Sequence, residues 1–297
     1  MTNEAPKIIC FGEVLWDVFP NKRLLGGAPL NVGMRLHTLG ADVTLVSCVG
    51  DDEPGDRAIW EIQEHGLSTS TIHISENKPT GSVLVSLSDG IATYSISEDV
   101  AWDHIVVGEE NKVKIRKADA LVFGSLALRN DHNYTLLNNL LEDSSYSIFD
   151  LNLRPPYYSD LRILDLMRKS DLVKMNDEEL EYVCEILKIT NNGLEDRVEQ
   201  IALRTQSDSI CVTLGDKGAI LLYDNIITKH PGYKVNVTDT VGAGDSFFAG
   251  LIYELLTGSG PEEALNTGCA IGALVASKQG ANCRVTSEEV LKIKQSR

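Results

Sequence analysis

Asp239-Thr-Val-Gly-Ala-Gly-Asp245-Ser-Phe-Phe-Ala-Gly-Leu-Ile-Tyr-Glu-Leu-Leu256 is a glycine-rich turn that runs into an amphipathic apolar stretch. Its two glycines permit backbone conformations closed to other residues and leave room for a ligand against the main chain. The helix that follows begins with unpaired N–H groups and the positive end of its dipole, so turn and helix together predict an anion pocket. Asp245 places a carboxylate at the mouth of that pocket. Aspartate is a weak base near neutral pH, yet it accepts a hydroxyl proton during phosphoryl transfer when geometry holds the two groups together. Taken alone, the pattern is explained more simply as a helix cap after a Gly-x-Gly turn. No Lys-Ser/Thr pair follows, so it is not a Walker A loop.

Outward from this turn, short β-branched apolar runs occur at 7–12, 43–49, 120–123, 147–151, 172–175, 210–214 and 219–223. They alternate with helical patterns near 30–39, 55–65, 133–142, 160–168, 177–187 and 194–204. Strand-then-helix alternation with short connections predicts an α/β fold, a mostly parallel central sheet flanked by helices on both faces. Ligands of such sheets bind beyond the carboxyl ends of the strands. The last third reads as helices at 244–256, 261–278 and 287–294, with Pro261 at a first turn and Glu262 and Glu263 behind it. Residues 80–97 break the rhythm, alternating with period two on both sides of Asp89-Gly90, a strong hairpin signal. That hairpin is either a lid or an edge element completing the sheet. No repeat or linker appears, so residues 1–297 read as one domain. Its small insertion spans roughly 71–103, with a contribution from about 14–25.

The 297 residues are 43% hydrophobic and 24% charged, ordinary for a globular chain able to bury a substantial core. A formal net charge of −16 argues against a nucleic-acid or membrane-surface partner, because those recruit basic faces. It does not argue against a nucleotide, which a few backbone amides and one or two cations hold locally. The six cysteines are widely spaced with no C-x-x-C pair, which disfavours a disulfide framework or zinc site and fits a reducing compartment. A polar N-terminus and the lack of an apolar run of about 18 residues make a cytoplasmic protein the expectation.

Four separate elements resemble the PfkB/ribokinase family of carbohydrate kinases, fructokinase-like members in particular. Asp239 to Gly250 resembles the C-terminal signature. Gly26-Gly-Ala-Pro-Leu-Asn31-Val-Gly, followed by Leu39-Gly40 and Val49-Gly-Asp-Asp52, resembles the N-terminal one. Asn176-Asp-Glu-Glu179 is similar to the family's N-x-x-E element, and Val212-Thr-Leu-Gly215-Asp-Lys-Gly218 to its nucleotide-loop strand. The elements come in the family's order across residues 8–285. The resemblance implies a ribokinase-like fold with a small β-hairpin lid, and a kinase that uses ATP and Mg²⁺ on a small sugar.

Residue by residue, the resemblance makes Asp245 the catalytic base, with the amides of Gly242, Ala243 and Gly244 stabilising phosphoryl charge. It places Asp17, Gly26, Gly27 and Asn31 at the sugar, where carboxylate and amide engage vicinal hydroxyls. Asp150-Leu-Asn152-Leu-Arg154 resembles the D-x-N-x-R segment of fructokinase-like members, which puts Asn152 and Arg154 near the substrate. Arg154 is equally explained by pairing with a surface acid. Asn176, Thr213, Gly215 and Gly218 fall on the nucleotide side, and Glu179 would organise Mg²⁺ through water. Without the resemblance, Asn176 and Glu179 read as a helix cap. Asp239, with carbonyls near Ala276 and Gly280, matches a monovalent-cation site of the kind that takes K⁺. Cys269 stands where ribokinases carry an adenine-facing asparagine, so base contacts depart from the pattern. Fructose is the first expectation for the sugar, with ribose, other ketoses, 2-keto-3-deoxygluconate and nucleosides as alternatives. A homodimer through the lid is a family-based expectation. A non-catalytic sugar-binding member is the rival of another class. A dinucleotide-dependent oxidoreductase is disfavoured, since the first strand and turn lack G-x-G-x-x-G.

Overall fold

Strands with nearly continuous apolar sequence need cover on both faces, and this chain supplies it with helices. The computed structural model describes residues 4–88, 91–190 and 193–296. In chain order the strands are β1 (Lys7–Phe11), β2 (Leu15–Phe19), β3 (Lys22–Gly26), β4 (Asp42–Gly50), β5 (Ile72–Ser75), β6 (Gly81–Ser88), β7 (Ile91–Ile96), β8 (Ala120–Gly124), β9 (Ser147–Asp150), β10 (Leu172–Asn176), β11 (Ser209–Thr213), β12 (Ala219–Tyr223) and β13 (Ile226–His230). The helices are α1 (Ala28–Leu39), α2 (Glu53–Glu64), α3 (Glu109–Arg116), α4 (Asp131–Leu141), α5 (Asp160–Arg168), α6 (Asp177–Ile186), α7 (Leu194–Thr205), α8 (Ala243–Leu256), α9 (Pro261–Ala276) and α10 (Ser287–Gln295).

Nine strands form one sheet in the order β13-β12-β11-β10-β9-β8-β1-β4-β5. Neighbours from β11 through to β5 run parallel, and β12 and β13 complete the edge as an antiparallel pair. All seven strands expected from the apolar runs lie in this sheet. Strands β8 and β9 are buried at every position, as a doubly covered sheet requires. On one face Leu30 of α1, Phe248 and Leu251 of α8 and Leu265 of α9 join the core; on the other, Leu137, Leu166, Val183 and Ile201 come from α4 to α7. Each such buried side chain contributes about 1.5–3 kcal/mol.

The remaining strands form a small sheet in the order β3-β2-β6-β7. Strands β6 and β7 pair antiparallel from Val83↔Ile96 to Ser88↔Ile91, while the expected turn residues Asp89 and Gly90 lie outside the described residues. Strands β2, β6 and β7 fall inside the two segments expected to form the insertion, and β3 ends at Gly26, one residue beyond the first. Strand β5 falls inside the same range but pairs with β4 in the large sheet. Arg129 ties the base of the small sheet to the body: Nη2 donates to the Ser97 carbonyl at 2.6 Å and Nε to Asp103 at 2.7 Å. Its guanidinium lies 4.1 Å from the Trp102 ring centroid and 4.9 Å from that of Tyr157.

Strands β2, β3, β5 and β13 and helix α3 carry patterns too short or too polar to stand out in the sequence. The β12–β13 turn is Asp224-Asn225, both with positive φ (50° and 61°), the geometry a two-residue hairpin needs without a glycine. No helix among the described residues is long and apolar enough to cross a membrane. The parallel topology delivers the segments after Phe11, Asp150, Asn176 and Thr213 to the carboxyl edge of the sheet, the edge where such folds bind ligands.

Candidate active site

Helix α8 starts from Gly242, whose φ of 73° is left-handed. A Cβ there would lie 2.3 Å from the Ala281 Cβ and 2.5 Å from its Cα, so glycine is required both for the turn and for the close approach of segment 279–283. At Gly244 the situation reverses: a Cβ would meet only the Lys174 Nζ, at 3.8 Å, and otherwise face open space. The amides of Gly242 and Gly244 have no hydrogen-bond partner among the described residues, whereas the Ala243 N–H donates to the Thr240 carbonyl at 3.2 Å. Two of the three expected amides are thus open at the positive end of the helix, while the third is engaged in the turn.

Asp245, in the first turn of α8, accepts a hydrogen bond from Asn31 Nδ2 of α1 at 2.8 Å, across 214 residues of sequence. Asn31 Oδ1 in turn accepts from Asn282 Nδ2 at 3.4 Å. Arg35, one turn along α1, fixes the geometry from below. Its Nε donates to Ser246 Oγ at 3.2 Å and Nη2 to the Cys283 carbonyl at 2.9 Å. A cavity of about 260 Å³ opens beside these groups, lined by Asp17, Leu25, Gly26, Asn31, Val241 and Asn282. A larger cavity of about 690 Å³ lies elsewhere, with Asp103, Arg129 and Tyr157 in its wall. It contains none of the residues expected at the site, so the smaller cleft is the candidate.

The cleft crowds carboxylates. Burial, reinforced by the negative charge of Asp150, pushes Asp245 up to about 6, against the pull of Lys174, the Asn31 hydrogen bond and Arg154. By exposed surface Asp245 is half-buried. Burial likewise raises Asp17 to about 6, opposed by Arg154. Glu13, 2% exposed, is raised by burial to about 7. Its Oε1 accepts from the Ala28 N–H at 3.1 Å, and Oε2 is buried without a hydrogen-bond partner. Gly27 has no room for a side chain, since a Cβ there would sit 2.2 Å from the Glu13 carbonyl oxygen, and a Cβ on Gly26, 2.6 Å from Asp17 Oδ2, would push that carboxylate aside. Arg154 is exposed at the rim and donates to the Leu153 carbonyl; no carboxylate pairs with it among the described residues. Its positive field nevertheless reaches Glu13, Asp17 and Asp245. Asn152 turns the chain before it with a positive φ of 39°.

On the opposite side, Asn176 and Glu179 form a capping box at the start of α6. Asn176 Oδ1 accepts from the Glu179 N–H and Glu179 Oε2 from the Asn176 N–H, both at 2.8 Å. Glu179 Oε1 also accepts from the Leu153 N–H at 2.8 Å, which links α6 to the Arg154 segment. With both oxygens bonded and 6% exposure, Glu179 is not placed to ligate an ion directly. Among the described residues no three acids, histidines or cysteines converge as metal ligands. Gly215 and Gly218 have positive φ (61° and 86°) where β11 turns into β12, and Thr213 ends β11. Asp239 clasps two loops, accepting from the Val241 and Gly280 N–H groups at 3.0 Å each, while the Ala276 carbonyl accepts from Thr238 and Asp239. Cys269 is 7% exposed within α9 and belongs to the core.

Sequence reading passed over Glu13, Arg35, Asn282 and Lys174, and met Asp150 only as the head of the D-x-N-x-R segment, without its buried partner. Only Lys174 left a signal: a lysine inside the run Leu172-Val-Lys174-Met175 has to be buried if both faces of the sheet are covered.

Comparison with known proteins identifies the family. Residues 4–287 match the model of the pfkB family carbohydrate kinases. An uncharacterized sugar kinase of Pyrococcus horikoshii is 31% identical over 284 residues, covering 92% of this chain and 87% of its own length. Rice fructokinase-1 is 27% identical over 328 residues, with both chains fully covered. The crystal structure of Xylella fastidiosa fructokinase with bound ATP superposes with a TM-score of 0.82 at 25% identity, covering 97% of this chain and 98% of the other. The architecture is therefore ribokinase-like. With a family match across nearly its whole length, the chain belongs to the pfkB family of carbohydrate kinases.

Proposed function

We propose that this kinase transfers the γ-phosphoryl group of ATP to a primary hydroxyl of a small sugar, with fructose the first choice. The observation that carries the reading is the Asp245–Asn31 contact at the glycine turn. A carboxylate held by an amide from the opposite helix stands beside open N–H groups and near a cavity lined by Asp17, Gly26, Asn31 and Asn282. In this reading Asp17, Asn31 and the turn at Gly26-Gly27 hold sugar hydroxyls, and Asn152 and Arg154 approach from the rim. Asp245 takes the proton of the attacking hydroxyl, and the first-turn amides of α8 stabilise charge on the transferring phosphoryl oxygens. Thr213, Gly215 and Gly218, with Asn176 nearby, line the nucleotide side, where glycine lets the main chain approach a ligand. When bound, Mg²⁺ supplies charge neutralisation on the phosphates, organised through water by Glu179. Asp239 and the carbonyls near it are offered as a K⁺ site. The small sheet acts as a lid that excludes water as a competing acceptor.

Fructose is favoured by the likeness of Gly26 to Asn31 and of Asn152-Leu-Arg154 to fructokinases, and by the rice and Xylella relatives. The test is ADP release on a panel of fructose, ribose, other ketoses, 2-keto-3-deoxygluconate and nucleosides, with and without K⁺. Turnover is expected with fructose, and is expected to vanish in Asp245→Asn while sugar binding persists. Binding of ATP and sugar without turnover across the panel sinks the catalytic reading.

A further inference from the structure

Lys174 is out of place for a residue whose task is only to fill a core. It lies in the middle of β10, flanked by parallel strands β9 and β11, and its side chain is 8% exposed. Its Nζ donates to both oxygens of Asp150, at 2.9 and 3.1 Å, and the Asp150 side chain is 4% exposed. A buried ion pair is rarely a better stabiliser than well-packed apolar residues, so retention of this one asks for another reason. The ammonium lies 3.8 Å from the point where a Gly244 Cβ would sit and 5.9 Å from the Phe248 ring centroid, beside the first turn of α8.

We infer that Lys174 is a positioning residue of the phosphoryl-transfer site: it cancels the Asp150 charge beside the first turn of α8, so that Asp245 is kept as a carboxylate. This inference rests on the reading of Asp245 as the base. Five groups face Asp245 from the elements packed around it: Asn31 from α1, Asp150 from β9, Lys174 from β10, Arg154 from the loop after β9 and Glu13 from the loop after β1. Asp150 disfavours the ionised form of Asp245 and Lys174 favours it. Burial alone works against the Lys174 ammonium, but Asp150, Glu179 and Asp245 outweigh it and hold its pKa above the usual lysine value. Lys174 therefore stays charged wherever the enzyme operates, and it is the buried cation among three carboxylates.

The test is the pH dependence of kcat/KM for the sugar in Lys174→Met, Lys174→Arg, Asp150→Asn and the double variant Asp150→Asn/Lys174→Met, with thermal melting as a check on folding. In Lys174→Met the acid limb is expected to move up by about one pH unit or more, because Asp150 then acts on Asp245 uncompensated. Lys174→Arg and the double variant should return the limb towards its wild-type position. Asp150→Asn alone should move it down, and this arm decides the matter if Lys174→Met does not fold. A purely structural role predicts lower melting temperatures and a loss of activity that is uniform in pH. An unmoved limb in a folded Lys174→Met, or in Asp150→Asn, overturns the inference. Asp245→Asn is measured in parallel. If it retains near-normal turnover, the base assignment falls and this inference with it; if it is inactive while the limb stays unmoved, only the role of Lys174 falls.

Discussion

Gly244→Ala and Gly242→Ala differ by one methyl group at positions two residues apart, and the structure predicts opposite consequences. At Gly244 the new Cβ meets only the Lys174 Nζ at 3.8 Å, and the backbone does not lie at positive φ. Alanine in the first turn of a helix is favoured over glycine by about 0.5–1 kcal/mol, so Gly244→Ala should melt at or above the wild-type temperature. The methyl group nevertheless projects into the space where a phosphoryl group would touch the α8 amides. Loss of one such donor typically lowers kcat by about 10²–10³-fold, and a loss of that order is expected. At Gly242, φ is 73° and the Cβ would overlap Ala281 at 2.3 Å. Left-handed strain of about 1–2 kcal/mol adds to displacement of segment 279–283, which carries the carbonyl partners of Arg35 and the amide of Asn282. Gly242→Ala should therefore lose several degrees of melting temperature as well as activity. The assay is ADP release with saturating ATP and sugar, beside a thermal melt of each variant. Turnover of Gly244→Ala within about a factor of three of wild type, well short of one lost donor, would refute the phosphate-cradle reading of the α8 turn.

Three further outcomes follow from the same geometry. The kcat/KM of the wild type should fall as pH drops through about 6, where Asp245 gains a proton and ceases to act as a base. Glu13→Gln should stabilise the unliganded protein at alkaline pH by about 1–3 kcal/mol, read as melting temperature. The folded pKa of Glu13 is raised to about 7, so the fold favours the neutral form and loses stability as pH rises from the ordinary carboxylate value through 7. The gain should disappear near pH 4, where both states carry the protonated acid; a gain that persists there counts against a buried charge at Glu13. Arg35→Met leaves the Cys283 and Ala281 carbonyls and Ser246 Oγ without their donor, at a cost of about 1–3 kcal/mol per group left buried and unpaired. It should lower the melting temperature and raise KM for the sugar, since Asn282 loses its anchor; an unchanged KM removes segment 279–283 from the sugar site.

The parts of this protein that were legible in the sequence are those set by short-range rules. Strand and helix alternation, the glycine turn before α8 and the Asn176–Glu179 cap depend on side-chain period, backbone sterics and contacts three or four residues apart. The Asp224-Asn225 hairpin was equally local, but its left-handed residues are not glycines and gave a weaker signal. The contacts that make the turn a site were invisible. Asn31 reaches Asp245 across 214 residues and Arg35 reaches Cys283 across 248. Lys174 meets Asp150 because β9 and β10 are neighbours in register, with Lys174 opposite Asp150. Motif by motif, the sequence determined that a carboxylate would stand at the head of a helix behind two glycines. Only the tertiary structure decided what that carboxylate is. Its proton affinity comes from burial, from the charges of Asp150, Lys174 and Arg154 and from the Asn31 hydrogen bond, and field and desolvation add up over space, not along the chain.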